Sequence, residues 1–305
     1  MTMLKRANFQ ANEVVDLREE LALVSPTDTP LTTLLMGRGA VVPATDITVT
    51  WRERALNATR GTLKLEGADA GDPIISSRST LSNLCQIIEK VTQVSGTAEA
   101  LNPKGIGKSF EAEVADRLIE TKRDLEWYFL NGTKASESGS TPRQMNGLLN
   151  LVNSNNVLGD ETSTTLTEDL ILQGFQKMWE KGAQGEYFAF VTASIKKAVN
   201  TLFAAGTNTR VNITHGVDQV MGITVQRVES DFGVLNFVID RHLADYTFLA
   251  VDLDQVEIAE LRGTFYEDLP KAGDYFKGHI LNESSIKLLN SYAAFKIINV
   301  GKPTE

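Results

Sequence analysis

At 305 residues, with 42% hydrophobic and 23% charged side chains, the chain is globular rather than disordered and can bury one large core or two modest ones. Thirty basic against 39 acidic side chains leave a net charge of −9, and the absence of any Lys/Arg run argues against sequence-specific nucleic-acid binding. One cysteine, Cys85, excludes an internal disulfide, and no stretch approaches the roughly 18 apolar residues of a membrane span, so a soluble protein made in a reducing cytoplasm is expected.

Residues 12 to 24 place Val14, Leu17, Leu21 and Val24 at helical spacing, with Asn12 as cap. Pro26 and Pro30 then push Ser25 and Thr29 toward extended backbone, which makes this segment an arm. Leu31, Leu34 and Leu35 follow at one-turn spacing and form an apolar anchor that fits its own domain or a neighbour. Alternation of Ile47, Val49 and Trp51 with Thr48 and Thr50 predicts a half-buried strand. Residues 57 to 73 read as a glycine-rich, charged loop tip carrying Lys64, and residues 81 to 94 as the returning strand, so residues 46 to 94 make a hairpin. A two-stranded ribbon has little core of its own and needs another surface to lie on.

The strongest helix is predicted over 110 to 131, with Phe110, Val114, Leu118, Leu125 and Phe129 on one face and Asn131-Gly132 as its stop. Residues 133 to 165 are rich in Ser, Thr, Asn and Gly and read as a boundary with an exposed loop. Helices are expected over 166 to 181 and 194 to 205, a buried strand over 188 to 192, and further strands over 211 to 213, 223 to 228, 235 to 240 and 248 to 251.

Three blocks occur in a telling order. Ser25-Pro26-Thr27-Asp28-Thr29-Pro30-Leu31 precedes Ile47-Thr48-Val49-Thr50-Trp51-Arg52-Glu53-Arg54; Ser230-Asp231-Phe232-Gly233 leads into residues 236 to 241; Leu269-Pro270-Lys271-Ala272-Gly273-Asp274 is followed by residues 283 to 298. This arrangement resembles the major capsid proteins of tailed bacteriophages with the Hong Kong 97-type fold. The resemblance implies an α+β subunit with an N-terminal arm (1–44), an extended-loop hairpin (45–94), a peripheral domain begun by a spine helix (95–140), an axial domain (141–250) and closing peripheral strands (251–305).

It further implies a mechanical function without a cofactor, metal or catalytic residue: copies tile as pentamers and hexamers into an icosahedral phage head around double-stranded DNA. Arm and hairpin would lie across neighbours, with Leu31, Leu34 and Leu35 as arm anchors, Trp51 on the hairpin face, and Arg52, Glu53 and Arg54 as intersubunit charge partners. The arm would then be dispensable for folding, and removal of residues 1 to 36 would leave the core intact. Some relatives cross-link a loop-tip lysine to a neighbour's asparagine, and Lys64 is the lysine in that region; the plainer reading is a solvated side chain. The implied partners are a separate scaffolding protein, since no long helical leader is seen, a portal protein and a decoration protein. The implied location is the virion, assembled in the bacterial host cytoplasm. An encapsulin-like nanocompartment shares the expected fold and is the alternative shell.

An enzymatic alternative rests on Asn102-Pro103-Lys104-Gly105-Ile106-Gly107-Lys108-Ser109, the end of a phosphate-binding loop, with Asp240 ending an apolar strand as a magnesium-side partner. Asn102 replaces the first glycine, Pro103 removes an N–H the loop needs, and residues 96 to 101 make a poor buried strand; a glycine-rich entry to a helix explains the motif better. His215, His242 and His279 lack partners at metal spacing, and Cys85 in an apolar strand is a core residue rather than a nucleophile.

Overall fold

The computed structural model describes residues 27–57, 60–61, 63–71, 73, 75–101, 109–183, 185–205 and 226–303. The expected helix over 12 to 24, the phosphate-loop motif at 102 to 108, the strand over 211 to 213 and His215 lie outside these residues.

The first element is α1 (Pro30–Gly37), with proline at the position where a missing N–H costs nothing. There follow β1 (Val41–Pro43), β2 (Thr48–Ala55), β3 (Ser77–Leu84), β4 (Gln86–Ser95), the single-turn α2 (Gly96–Ala100) and the long α3 (Ser109–Asn131). Next come α4 (Leu148–Leu151), β5 (Val157–Leu158), α5 (Glu168–Glu180), β6 (Glu186–Val191) and α6 (Ala193–Ala205). The chain continues through β7 (Arg227–Ser230), β8 (Gly233–Ile239), β9 (Phe248–Val251), β10 (Val256–Asp268), β11 (Tyr275–Leu288) and β12 (Ala294–Ile297). Apolar periodicity located α1, α3, α5 and α6 to within about two residues, the usual slack at helix ends. The hairpin is shorter than expected. It pairs β2 with β3 only, from Thr48↔Leu84 to Ala55↔Ser77, and at Cys85 the chain leaves it to enter a different sheet as β4.

Two sheets carry the remaining strands, one in the order β1-β10-β11-β4 and one in the order β5-β12-β9-β6-β8-β7. The chain divides into two compact units: one takes in residues 89–122 and 264–281, the other residues 28–88, 123–263 and 282–303. The smaller unit holds the first half of α3, where the Phe110 ring sits 6.5 Å from Tyr266 and 6.0 Å from Phe276. Leu118 and Ile119 on this half are exposed, so the apolar face expected along the whole helix is buried only from Leu125 onward.

The larger unit has two apolar clusters. One gathers α1, the end of α3, residues 145–152 and β9–β11 around Leu31, Leu35, Leu125, Phe129, Met145, Leu148 and Ile286. The other packs α5 and α6 on the six-stranded sheet around Phe175, Tyr187, Phe248 and Phe295. Residues 133 to 165, expected as an exposed loop, contribute Met145, Leu148 and Leu158 to these cores. The close return of this segment depends on Gly147, whose N–H donates to Gly132 O at 2.8 Å and where a Cβ would stand 2.5 Å from Gly132 N. Gly174 on α5 has the same role against β12, because a Cβ there would come within 2.5 Å of the Phe295 ring.

Gly174→Ala therefore overpacks a core that already has no room, and a loss of about 1–3 kcal/mol is expected in urea unfolding despite alanine's better helix propensity.

Candidate assembly surfaces

Strand geometry divides the β2–β3 ribbon into two faces, since successive side chains point to opposite sides. Val49, Trp51, Glu53 and Ala55 share one face with Asn83, Leu81, Ser79 and Ser77; Thr48, Thr50, Arg52 and Arg54 share the other with Leu84, Ser82, Thr80 and Arg78. The first face is satisfied within its own unit. Val49 is buried with Cys85 and Ala259, the Trp51 indole N–H donates to Leu288 O at 2.9 Å, and Glu53 Oε1 accepts from the Ser291 N–H. Asn83 is fully buried: its Nδ2 donates to Ile286 O at 2.7 Å and Asn146 O at 2.9 Å, and its Oδ1 accepts from Asn146 N at 2.7 Å.

A buried ion network holds the end of this ribbon. Glu283 accepts from Arg143 Nη2 and, at 2.7 Å, from Arg262 Nε, while Arg143 Nε also donates to Cys85 O at 2.7 Å. Burial beside Glu283 pushes the Cys85 thiol up to about 11, which leaves it protonated and inert as a nucleophile.

The second face has the opposite character. Arg54 lies directly across from Arg78, Arg52 is two residues away on the same side, and Lys134 Nζ reaches the face by donating to Ser82 O at 2.8 Å and Ser82 Oγ at 2.9 Å. All four cations are exposed, and none has a carboxylate within ion-pair distance among the described residues. Like charges directly opposite on a ribbon are unfavourable by themselves. Beyond it, the loop exposes Leu56, Leu63, Leu65 and Ile75; Leu63 is 98% and Leu65 86% exposed. Lys64 is exposed on this tip and donates to Asp69 O of its own loop.

Several expected intersubunit residues are thereby reassigned. Leu31 and Leu35 are fully buried in their own core and Leu34 packs against it, so they anchor α1 to its own subunit, and removal of residues 1 to 36 would strip that core of two buried leucines. Trp51 and Glu53 likewise spend polar groups on their own chain, at Leu288 O and Ser291 N. Arg52 and Arg54 have no carboxylate partner among the described residues, and the register adds Arg78 and Lys134, which no local pattern links to them. Asp240 is buried beside Glu126 on α3 with its Oδ1 bonded to His242 N. Among the described residues no group of three His, Cys, Asp or Glu side chains has metal-binding geometry, and no helix is long and apolar enough to cross a membrane.

The architecture is that of known shells. The capsid asymmetric unit of cyanophage A-1(L) matches with a TM-score of 0.75 at 14% identity, covering 98% of this chain and 100% of that one. The holo-SrpI encapsulin complex of Synechococcus elongatus matches with a TM-score of 0.59 at 11% identity, covering 100% and 99%. These likenesses define the class by fold, an α+β capsid subunit of the Hong Kong 97 type. The family model of the SU10 major capsid protein matches residues 3–301, and the chain belongs to that family of structural proteins, not of enzymes. The major capsid protein of Escherichia phage Phieco32 is 30% identical over 113 residues, 37% of this chain; the matched segment spans 31% of that relative's length.

Glu283→Ala removes the acceptor of two arginines, one of them largely buried; a loss of about 3–5 kcal/mol is expected by chemical denaturation, with faster amide exchange at the ribbon's base.

Proposed function

We infer that this chain is the shell subunit of a tailed-phage head, tiling as pentamers and hexamers around double-stranded DNA that it encloses without reading its sequence. The observation that carries this reading is the hairpin: one face is bonded to its own subunit, while the other carries Arg52, Arg54, Arg78 and Lys134 with no carboxylate at ion-pair distance among the described residues, and the tip exposes Leu63 and Leu65. An exposed apolar tip beside a cationic stripe is an interface rather than a solvated surface. A second copy, with its nine excess acidic charges, supplies the counter-surface. Such head-to-tail contacts are heterologous, and when the rotation closes they generate rings.

The same reading assigns residues 1–44 to the arm and residues 141–250 to the axial domain. It brings with it a scaffolding protein encoded separately, a portal protein and a decoration protein, and assembly in the host cytoplasm before incorporation in the virion. Lys64 keeps its place on the tip as the residue that a neighbour's asparagine would meet.

Charge reversal tests it directly. Arg52→Glu, Arg54→Glu and Arg78→Glu together leave the subunit folded, because these side chains are exposed and make no ion pair among the described residues, and abolish regular particles in negative-stain electron microscopy. Normal shells from the triple variant overturn the interface. Particles that package protein cargo and no DNA when produced in an infected host would instead support the nanocompartment. In hydrogen exchange, the ribbon's base is protected in free subunits and the tip at residues 60–71 only in shells.

A further inference from the structure

The end of α3 holds a buried acidic pair that no part of the shell reading uses. Glu126 is fully buried on α3; its Oε1 accepts from Leu31 N at 2.6 Å, and its Oε2 accepts from Thr32 N at 2.8 Å and from the Thr32 hydroxyl. These are the first-turn groups of α1, which carries Leu31 and Leu35 into the core. Asp240, also fully buried, stands within hydrogen-bonding reach of Glu126; its Oδ1 accepts from His242 N at 2.8 Å, and its Oδ2 has no donor. Asn131 at the end of α3 fixes the loop that brings Asp240 there, donating to His242 O at 2.6 Å and accepting from Ala244 N at 2.8 Å.

We propose that Glu126 and Asp240 form a proton-operated latch on α1: with a proton between the two carboxyls the helix is locked to its subunit, and with both ionised it is released. Two adjacent carboxylates without water repel each other, whereas one shared proton turns the repulsion into a hydrogen bond and leaves the remaining oxygens to accept from α1. Burial, opposed by the bonds from Thr32 and reinforced by Asp240, pushes Glu126 from 4.5 up to about 7; burial also raises Asp240. Because the docked value lies above the free one, the contribution to docking is whole below about 4.5 and is lost as the pH rises through about 7. The other charged groups facing the pair are few. Asp28, on the segment entering α1, raises Asp240 further and is itself paired with Arg241 at 3.1 Å; His242 on the loop after β8 lowers it; from β6 the Val191 carbonyl accepts from the Asp240 N–H.

The test is hydrogen exchange on the purified full-length subunit, corrected for the intrinsic pH dependence of amide exchange. Linkage between 4.5 and about 7 makes protection of the amides at 31–37 fall about thirtyfold from about pH 5.5 to about pH 8, while the core strand β9 holds its protection. Glu126→Gln removes the titrating group at this position and keeps one of its two acceptors for α1, so protection is expected to be lower throughout but to vary by less than about threefold over the same range. Asp240→Asn, equally isosteric, is expected to show a smaller fall than the wild type. Unchanged protection in the wild type, or a fall in Glu126→Gln as large as the wild type's, overturns the latch. The measurement is made on the subunit, so it stands or falls separately from shell formation.

Discussion

Everything this subunit can do follows from the inability of a two-stranded ribbon to bury both of its faces. Period-two geometry commits alternate residues of β2 and β3 to opposite sides, and only one side can lie on the parent unit. Here that side is chosen by polar complementarity as much as by apolar burial. Asn83, Trp51 and Glu53 each find a backbone partner in the segment 286–291, so the ribbon's base is positioned before any neighbour arrives. What remains is a cationic stripe whose charges have no carboxylate partner among the described residues and a leucine-bearing tip that water covers badly.

This division makes assembly a matter of completing surfaces rather than of ordering a disordered segment. A pre-positioned base lowers the conformational entropy that association must overcome. The Glu283–Arg143–Arg262 network is consistent with this. A buried carboxylate held by two guanidiniums contributes little net stability over an apolar substitute, but it joins the loop at 143, the ribbon end at Cys85, β10 and β11.

The arm helix depends on a different device. Apolar contacts from Leu31 and Leu35 supply the burial, while the direction from which α1 enters the core is dictated by Glu126, whose two oxygens gather the first N–H groups of that helix. A buried carboxylate is costly unless it is hydrogen-bonded, and here its partners are groups that would otherwise be orphaned at a helix start. The ionic cost and the capping need are met by one arrangement, whose stability depends on protonation.

Much of the plan was legible in residue order. The prolines at 26 and 30 with the leucines that follow, the alternation from Ile47 to Trp51, and the periodicity of α3, α5 and α6 are local signals, because helix and strand periods are imposed by the backbone itself. The family resemblance was likewise carried by the order of such blocks. What lay beyond reach were pairings between distant residues. That Arg54 faces Arg78 depends on strand register, that residues 145–158 are core rather than loop depends on the close approach of Gly132 and Gly147, and that Glu126 meets both Thr32 and Asp240 depends on helix packing. The sequence by itself determined which segments are helix, strand and arm, since those preferences are settled within a few residues. Only the tertiary structure decided which leucines serve the subunit's own core and which charges are left for a neighbour, since burial and ion pairing are settled by contacts between residues far apart in the chain.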